Sequence, residues 1–445
     1  MSCDLDILKV KDFVDVTDYV ANGSFAALKD NVTYCDKPDY AVLVRLADHN
    51  SGWQNDLVYV DENSYKFLKK SSVQPGDVII SNVGANAGTV FRAPDLGLPM
   101  TLGPNSVLLK PKEDTPEARD FLYYFFSSPK GQHSLKSILS GSAQPKFNKT
   151  DLRNTEIVVP KGIPLAKVTG VLKSLDEKIT LNLLNNQTLE EIAHSIFKSW
   201  FVDFDPVKAK MNGEQPEGMD AATASLFPEK LVESELGLIP EGWDINYIKD
   251  FGKVVTGKTP PKKVEDAYAE EGVPFVTPSD IDSDVFVSET KRFLSESGVE
   301  AVKKSLLPEG SICVTCIGSQ MGKAVISPSE AISNQQINSI VVSKDYVRNF
   351  LFLNLRRRRE EIFLIGSSGS TMPIINKSTF EKLAVLTPSE ELMRSFDRSV
   401  SSLLSKIHQN AIENQTLSSL RDTLLPKLLS GEIELGQAQE LAEVE

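Results

Sequence analysis

Cysteine, histidine and long hydrophobic runs are scarce in this sequence. Its 445 residues include four cysteines and four histidines; the cysteines are too few for a disulfide framework, and the histidines are too scattered to suggest a metal site. No apolar run approaches the roughly 18 residues that a membrane-spanning helix needs. The N-terminal segment carries acidic residues where a signal peptide has a basic region and an apolar core. These absences favour a cytoplasmic protein with no membrane segment.

Catalytic motifs are also missing from the sequence. We find no N/D-P-P-Y/F motif for a flipped adenine, no glycine-rich S-adenosylmethionine loop and no PD…(D/E)xK nuclease pattern. An autonomous methyltransferase is therefore disfavoured.

One stretch, GKVVTGKT at Gly252–Thr259, fits the P-loop pattern G-x-x-x-x-G-K-[ST]. A P-loop follows an apolar strand and opens an amphipathic helix, so that bound phosphates meet the helix N-terminus. Here the stretch follows NYIKDF and precedes PPKKVEDAYAEEG, whose apolar residues are too sparse for a buried helix. We interpret the stretch as a turn in which Lys258 contacts a phosphate, and an autonomous P-loop ATPase as the least favoured function.

The net charge of −13 is unevenly distributed along the chain. Residues 203–241 carry nine acids and three lysines, and the segment from Gly431 carries five acids and no basic residue. These two segments hold −11 of the −13, so the remaining chain is close to neutral. The acidic total therefore does not exclude a nucleic-acid partner.

The sequence contains an internal repeat whose period is about half its length. In the first block of each copy, glycines and a proline recur in the same order with a constant offset. These are Gly76, Gly84, Gly88 and Pro94, which recur as Gly310, Gly318, Gly322 and Pro328. A second block repeats in the same way, with Gly141, Pro145, Asn148, Lys149 and Pro160 recurring as Gly369, Pro373, Asn376, Lys377 and Pro388. Such self-similarity predicts a duplicated structural unit.

Each copy begins with about 150 residues of short, glycine-bounded apolar runs mixed with helical patterns and turn residues. This pattern predicts an α/β (α+β-like) domain with a mixed sheet rather than a doubly wound one. The expected fold is two tandem mixed-sheet domains with two long helices.

A long heptad pattern closes each copy and predicts a helix of roughly 50 Å. Asn182 and Asn186 lie on the apolar seam of the first helix, and Asn410 and Asn414 lie at the repeated positions of the second. If the two helices pack as an antiparallel coiled coil, these asparagines meet at its centre, with a pseudo-two-fold axis between the copies. Leu189 and Leu417 are further predicted seam residues; the alternative is that the asparagines lie on a solvated face.

Several segments, notably SIFKSWFVDFDPV and NQTLSSLRDTLLPKLLSGEIEL, strongly resemble the specificity (S) subunit of type I restriction–modification systems. The resemblance runs over nearly the whole chain in the family's order. It implies a first target-recognition domain at residues 1–160, a first spacer helix region at 161–210 and an acidic linker at 211–240. It further implies a second target-recognition domain at 241–388, a second spacer helix region at 389–436 and an acidic tail at 437–445.

The resemblance also implies a function. Such a subunit holds no active site and binds no cofactor; it reads a bipartite target in double-stranded DNA, one half-site with each recognition domain. It resembles a scaffold for two modification (methyltransferase) subunits, which use S-adenosylmethionine, and for motor-nuclease restriction subunits, which use ATP and Mg²⁺. The chief alternative is a coiled-coil scaffold that binds proteins and no DNA.

The candidate DNA contacts are polar residues in repeated loops, because hydroxyl, amide and ammonium groups bond to phosphates and base edges. They are Ser142, Gln144, Lys146, Asn148 and Lys149 in the first copy, and Lys258, Ser370, Asn376 and Lys377 in the second. For the second copy a capping box at Ser378-x-x-Glu381 is an alternative, since the segment fits the start of a short helix. The run Arg356–Arg359 fits either a solvated helix face paired with acids or a phosphate-binding patch.

Overall fold

A computed structural model describes residues 5–54, 56–161, 164–235, 237–281, 284–287, 289–367 and 373–430. The chain divides into two compact units. The first unit combines the residues up to Ile179 with those from Thr416 onward, and the second consists of Thr180–Gln415. Each unit therefore contains one copy of the repeated α/β domain and a part of each long helix.

The first unit contains eleven strands among the described residues. They are β1 Leu5–Lys9, β2 Val14–Asp18, β3 Tyr34–Cys35, β4 Ala41–Val44, β5 Tyr59–Val60, β6 Ser72–Val73, β7 Val78–Ser81, β8 Val90–Arg92, β9 Met100–Leu102, β10 Ser106–Pro111 and β11 Glu156–Pro160. Its helices are α1 Val10–Phe13, α2 Phe25–Asn31, α3 Leu46–Asn50, α4 Glu62–Phe67, α5 Pro116–Ser127, α6 Pro129–Ser137, α7 Lys149–Asn154 and the start of α8 Leu165–Phe201.

The second unit repeats this pattern after a short additional segment. Its strands are β12 Leu231–Ser234, β13 Gly237–Pro240, β14 Asp244–Tyr247, β15 Gly252–Thr256, β16 Tyr268–Ala269, β17 Val273–Val276, β18 Phe293–Leu294, β19 Leu306–Leu307, β20 Ile312–Thr315, β21 Ala324–Ile326, β22 Ala331–Ser333, β23 Ile337–Val342 and β24 Ala384–Thr387. Its helices are α9 Asp205–Met211, α10 Ala221–Ser225, α11 Ile248–Phe251, α12 Glu296–Ala301, α13 Arg348–Arg357, α14 Arg359–Ser367, α15 Lys377–Glu381 and most of α16 Glu390–Ser430.

The sheets of the two copies have the same topology. A four-stranded antiparallel sheet has the order β2-β10-β7-β8 in the first unit and β15-β23-β20-β21 in the second. A five-stranded sheet follows, in the orders β3-β5-β4-β9-β6 and β16-β18-β17-β22-β19, and in each the central pair is parallel while the others are antiparallel. A terminal pair, β1-β11 or β14-β24, completes each copy. The predicted duplication and the predicted mixed sheets are both confirmed.

Buried β-branched and aliphatic runs explain the central strands. β7 (VIIS) and β20 (ICVT) are buried at every position, as expected for a strand that is covered on both faces of its sheet. In the first unit, Ile79 packs with Phe91 on one side, whereas Val78 and Ile80 pack with Phe121 and its neighbours from α5 on the other. Each small sheet thus joins two hydrophobic clusters.

The two long helices, of 37 and 41 residues, pair antiparallel. Within the second unit, Asn182 Nδ2 donates hydrogen bonds to Asn414 Oδ1 at 2.9 Å and to Glu413 Oε2 at 2.8 Å. Asn410 Nδ2 donates to Asn186 Oδ1 at 2.8 Å. The bonded positions advance along α8 as they go back along α16, as in an antiparallel pair. Asn182 bonds to Asn414, the repeat of Asn186, and Asn186 bonds to Asn410, the repeat of Asn182. Asn182 and Asn410 are buried, so the asparagines lie in the seam and not on a solvated face.

Each unit anchors its parts of the two helices in its own core. In the first unit, Leu172 and Leu175 of α8 pack with Leu424 and Leu428 of α16, and Leu417 is half-buried beside them. Tyr124 Oη donates to Asp176 Oδ2 at 2.7 Å, and Arg421 donates to Asp176 Oδ1 at 2.8 Å.

In the second unit the equivalent anchor is aromatic. Phe197 and Phe201 of α8 contact Phe350 of α13 and Phe396 of α16, with ring centroids 4.9–5.9 Å apart. Leu189 is half-buried against this cluster. Aromatic pairs at these separations stabilise beyond the area they bury.

Residues 211–240, the expected acidic linker, contain secondary structure. This segment forms α10 and the antiparallel hairpin β12-β13, and Phe227 is buried against Trp200 in the core of the second unit. Lys210 Nζ donates to Phe227 O at 2.6 Å. The sequence did not indicate these contacts, because isolated apolar residues in a highly acidic segment show no periodicity. The tail expected at 437–445 lies outside the described residues.

Among the described residues, every helix is too short or too polar to cross a membrane.

Candidate nucleic-acid interface

The same pair of loops meets in both units. In the first unit, Gly84 N donates to Pro145 O at 2.8 Å, and Phe147 N donates to Asn82 O at 3.1 Å. These bonds join the loop after β7 to the segment that precedes α7. Phe147 is buried and anchors that segment.

In the second unit, Gly318 N donates to Pro373 O at 2.9 Å, and Ile375 N donates to Cys316 O at 2.9 Å. Ile375 is buried in the place of Phe147. Gly84 and Gly318 have φ angles of 96° and 90°, a region that favours glycine because other residues are strained there. The repeated glycines and prolines of the sequence therefore mark one recurring loop junction.

The junction of the first unit presents polar side chains to solvent. Ser142, Gln144 and Lys146 are all exposed, while the backbone of Lys146 is held by a reciprocal pair of bonds with Ser140 at 2.8 and 2.9 Å. A fixed backbone with exposed hydroxyl, amide and ammonium groups is suited to DNA backbone and base-edge contacts.

Two of the predicted contact residues of the first unit have structural roles. Asn148 caps α7 by accepting a hydrogen bond from Asp151 N at 2.9 Å. Lys149 Nζ forms an ion pair with Asp18 at 2.7 Å. Both side chains therefore stabilise the junction, and their availability to DNA is smaller than the sequence suggests.

The same holds in the second unit. Asn376 caps α15 by accepting from Thr379 N at 2.9 Å, and Lys377 pairs with Glu381 at 3.5 Å. The alternative of a short helix start is thus observed, with Asn376 rather than Ser378 as the cap. Ser370 lies outside the described residues.

The P-loop match is part of a sheet. Gly252–Thr256 is strand β15, paired with β23 along its whole length, and Gly257 to Pro260 follow without a helix. Gly257 N and Lys258 N donate to Ile337 O at 3.0 Å and Ser333 O at 2.8 Å. These amides are used in the fold and cannot cradle a phosphate, whereas the Lys258 side chain is exposed.

In the run Arg356–Arg359, two arginines are paired within the fold and two are exposed. Arg358 donates to Glu361 at 2.6 and 2.8 Å and to Ala384 O at 2.6 Å, which ties α14 to β24. Arg357 and Arg359 are exposed. Arg356 pairs with Glu190 of α8 at 2.7 Å. Sequence reasoning missed this pairing because only the fold brings α8 and α13 together.

Among the described residues, no group of three or more histidine, cysteine, aspartate or glutamate side chains is arranged to hold a metal ion.

Comparison with known proteins places this architecture in a family. The family described as "Type I restriction modification DNA specificity domain" matches residues 4–193 and 240–421. The type I restriction enzyme HindI specificity subunit of Haemophilus influenzae is 31% identical, with 82% of this chain and 88% of that protein covered. The MjaIX specificity subunit of Methanocaldococcus jannaschii is 26% identical, with 97% and 94% covered.

A solved S subunit of a type I restriction–modification system from M. genitalium has a similar fold, with a TM-score of 0.57 at 15% identity. The similarity covers 96% of each chain. The two ranges that match the family correspond to the two copies of the repeat. The similarity to the solved structure extends over both copies. The chain therefore belongs to the family of type I restriction–modification DNA specificity domains.

Proposed function

We propose that the chain is the subunit that selects the DNA target of a type I restriction–modification complex, and that each α/β domain reads one half of a bipartite site. The observation that carries this proposal is the duplicated loop junction, at Gly84–Pro145 and Gly318–Pro373. Two equivalent loop junctions on one chain suit two half-sites with an unread gap between them.

Ser142, Gln144 and Lys146 are the best candidates for DNA contact in the first unit, because they are exposed on a fixed backbone. Lys258, which is exposed after β15, is the candidate in the second unit, where it contributes a phosphate contact. Asn148 and Asn376 act through the helix starts that they cap, and Lys149 and Lys377 form ion pairs with Asp18 and Glu381.

In this proposal the chemistry belongs to partner subunits. Two modification subunits transfer methyl groups from S-adenosylmethionine to an adenine in each half-site, which is flipped out of the duplex. Motor-nuclease subunits use ATP and Mg²⁺ for translocation and cleavage.

An exposed apolar position recurs on the paired helices and supports two docking sites for modification subunits. Leu184 of α8 is 58% exposed, and Ile412, its counterpart in the repeat, is 50% exposed. Leu181, one turn before Leu184, is 51% exposed. Exposed apolar side chains mark protein interfaces, and one equivalent exposed position on each helix, Leu184 and Ile412, suits two copies of one partner.

Leu184→Asp and Ile412→Asp should each remove one modification subunit from the purified complex, and the double variant should remove both. Subunit ratios from native mass spectrometry measure this. Ser402→Asp introduces the same charge at an exposed position of α16, about 15 Å along the helix from Ile412, and should retain both subunits. A double variant that retains both would contradict the docking sites.

The function is tested by sequencing the methylome of cells with and without this chain. A bipartite adenine-methylated motif should appear only with the chain. The chain free of partners should transfer no methyl group, and methylation by the isolated chain would overturn the division of labour. Filter binding to random-sequence duplexes tests the alternative of a scaffold that binds only proteins, since a DNA reader retains a salt-dependent, non-specific affinity.

A further inference from the structure

A cavity of ≈ 560 Å³ opens in the second unit between α8, the loop after β20 and the start of α14. Its lining includes three cationic side chains, Lys323, Arg356 and Arg359, together with His194 and Gln320. No aspartate or glutamate is among the lining residues. The side chains that line the cavity are therefore cationic or neutral, although Glu190 lies behind them and pairs with Arg356.

Arg356 is held in one orientation at the wall of this cavity. It pairs with Glu190 at 2.7 Å, donates to Asp284 O at 3.1 Å and lies 5.6 Å from the centroid of the Phe352 ring. Burial lowers the pKa of Arg356 even with the Glu190 carboxylate beside it. The carboxylates of Glu190 and Asp284 both oppose this shift, so Arg356 is a fixed and partly compensated charge at the wall.

The wall of the cavity is part of the candidate DNA interface. Gln320, Gly322 and Lys323 belong to the loop that begins at Gly318, whose amide donates to Pro373 O. Gly322 has a φ of 86°, and a Cβ there would come within 2.7 Å of Arg359 O. The loop and the start of α14 are therefore packed closely, and this contact fixes the position of the Arg359 backbone.

At the repeated position of the first unit a neutral side chain is observed. Gly88, the counterpart of Gly322, accepts a hydrogen bond from the neutral side chain of Gln132 at 3.0 Å. Gln132 Nε2 also donates to Phe126 O at 2.8 Å. A neutral glutamine thus lies against Gly88, whereas Arg359 lies against Gly322.

We propose that this cavity binds a phosphate of the DNA backbone at the half-site read by the second unit; the inference rests on the proposed function. Guanidinium groups match the geometry of phosphate oxygens and keep their charge at all physiological pH values. Arg359 supplies the exposed charge at the mouth. Arg356, paired with Glu190, and Lys323, whose ammonium donates to Ile281 O at 3.2 Å, are the further cationic groups of the lining. The contact sets the register of the second unit on the duplex and carries no sequence information itself.

Arg359→Gln is the informative variant, because the side chain is exposed and glutamine keeps the methylene groups that pack near Gly322. Arg357→Gln is the matched control, since Arg357 is exposed, lies two positions away and does not line the cavity. Each phosphate contact contributes about 0.9 to the slope of log K against log salt. Between 50 and 200 mM salt the affinity of the wild-type complex for its target duplex should fall about 3.5-fold more than that of Arg359→Gln.

Duplexes with one uncharged methylphosphonate at successive positions locate the contact. At one position in the second half-site, the methylphosphonate should weaken binding by the wild-type complex and by Arg357→Gln, but should not further weaken Arg359→Gln. The inference is overturned if no position shows this coupling. It is also overturned if inorganic phosphate binds to the DNA-free complex through Arg359 without such coupling, or if Arg359→Gln instead loses a modification subunit. A wild-type complex that does not prefer its target duplex over random duplex would refute the proposed function itself.

Discussion

Asn410→Ala removes a buried amide from the centre of the helix pair. Asn410 is fully buried in the second unit and donates to Asn186 Oδ1 at 2.8 Å. Its own Oδ1 accepts no hydrogen bond among the described residues. The variant thus leaves Asn186 without its donor but also removes an unpaired acceptor.

The expected magnitude follows from these opposed effects. An acceptor that loses its buried partner costs about 1–3 kcal/mol. Alanine favours the helix over asparagine by about 0.5 kcal/mol, and the loss of the unpaired Oδ1 offsets a further part. We expect a net destabilisation of the second unit by about 1 kcal/mol, which for a unit of this size lowers Tm by about 2–4 °C.

The assay is thermal unfolding of the full chain in its complex, followed by circular dichroism or calorimetry. Asn185→Ala is the control. Asn185 is exposed and lies on α8 next to Asn186, the partner of Asn410, so its replacement reports only the higher helix propensity of alanine. Asn185→Ala should leave Tm unchanged or slightly raised. If Asn410→Ala unfolds at the same temperature as Asn185→Ala or above it, the buried asparagine pair does not stabilise the helix pairing and the reasoning fails.

Three further outcomes are expected. Lys258→Ala should leave ATP hydrolysis by the assembled complex unchanged at saturating DNA, because its segment is a strand and turn; stoichiometric nucleotide binding by the isolated chain would contradict this. Hydrogen bonds from Arg394 and Lys344 lower the pKa of Glu390 to about 2, so its stabilisation is present above the ordinary glutamate pKa and is lost as pH falls toward 2. Glu390→Gln should accordingly show a smaller drop in Tm between about pH 5 and pH 3 than the wild type, and an equal drop would count against this ion pair. Inserting four residues after Gln187 lengthens α8 by about 6 Å and should widen the unread gap by about one or two base pairs of 3.4 Å; methylome sequencing that finds the original gap would rule out the helix pair as a ruler, whereas exchange of residues 1–160 should alter one half-site only.

The duplicated architecture was predictable because its determinants are local or periodic. Glycines such as Gly84 and Gly318 are required by turns with positive φ, so they recur at fixed positions in both copies. The seam asparagines were predictable because a heptad pattern assigns each residue to a face of its own helix. Neither inference needs knowledge of which distant segments meet.

The site was less predictable because its side chains are paired across long stretches of sequence. Lys149 pairs with Asp18, which lies 131 residues earlier, and Arg356 pairs with Glu190 of a different element. Sequence alone shows that these residues are charged and cannot show whether the charge is already used. For the same reason, an exposed Lys258 and a paired Lys377 are indistinguishable as sequence letters.

The composition of the first unit has a consequence for synthesis on the ribosome. Its core contains Leu424, Leu425 and Leu428 of α16, packed with Val168 and Leu172 of α8. The first α/β domain emerges early in translation, yet these partners emerge only after the whole second unit has been made. Until then the nascent first unit exposes apolar surface that requires protection from aggregation. A premature stop codon shortly before Leu424 would accordingly damage the domain encoded at the opposite end of the gene.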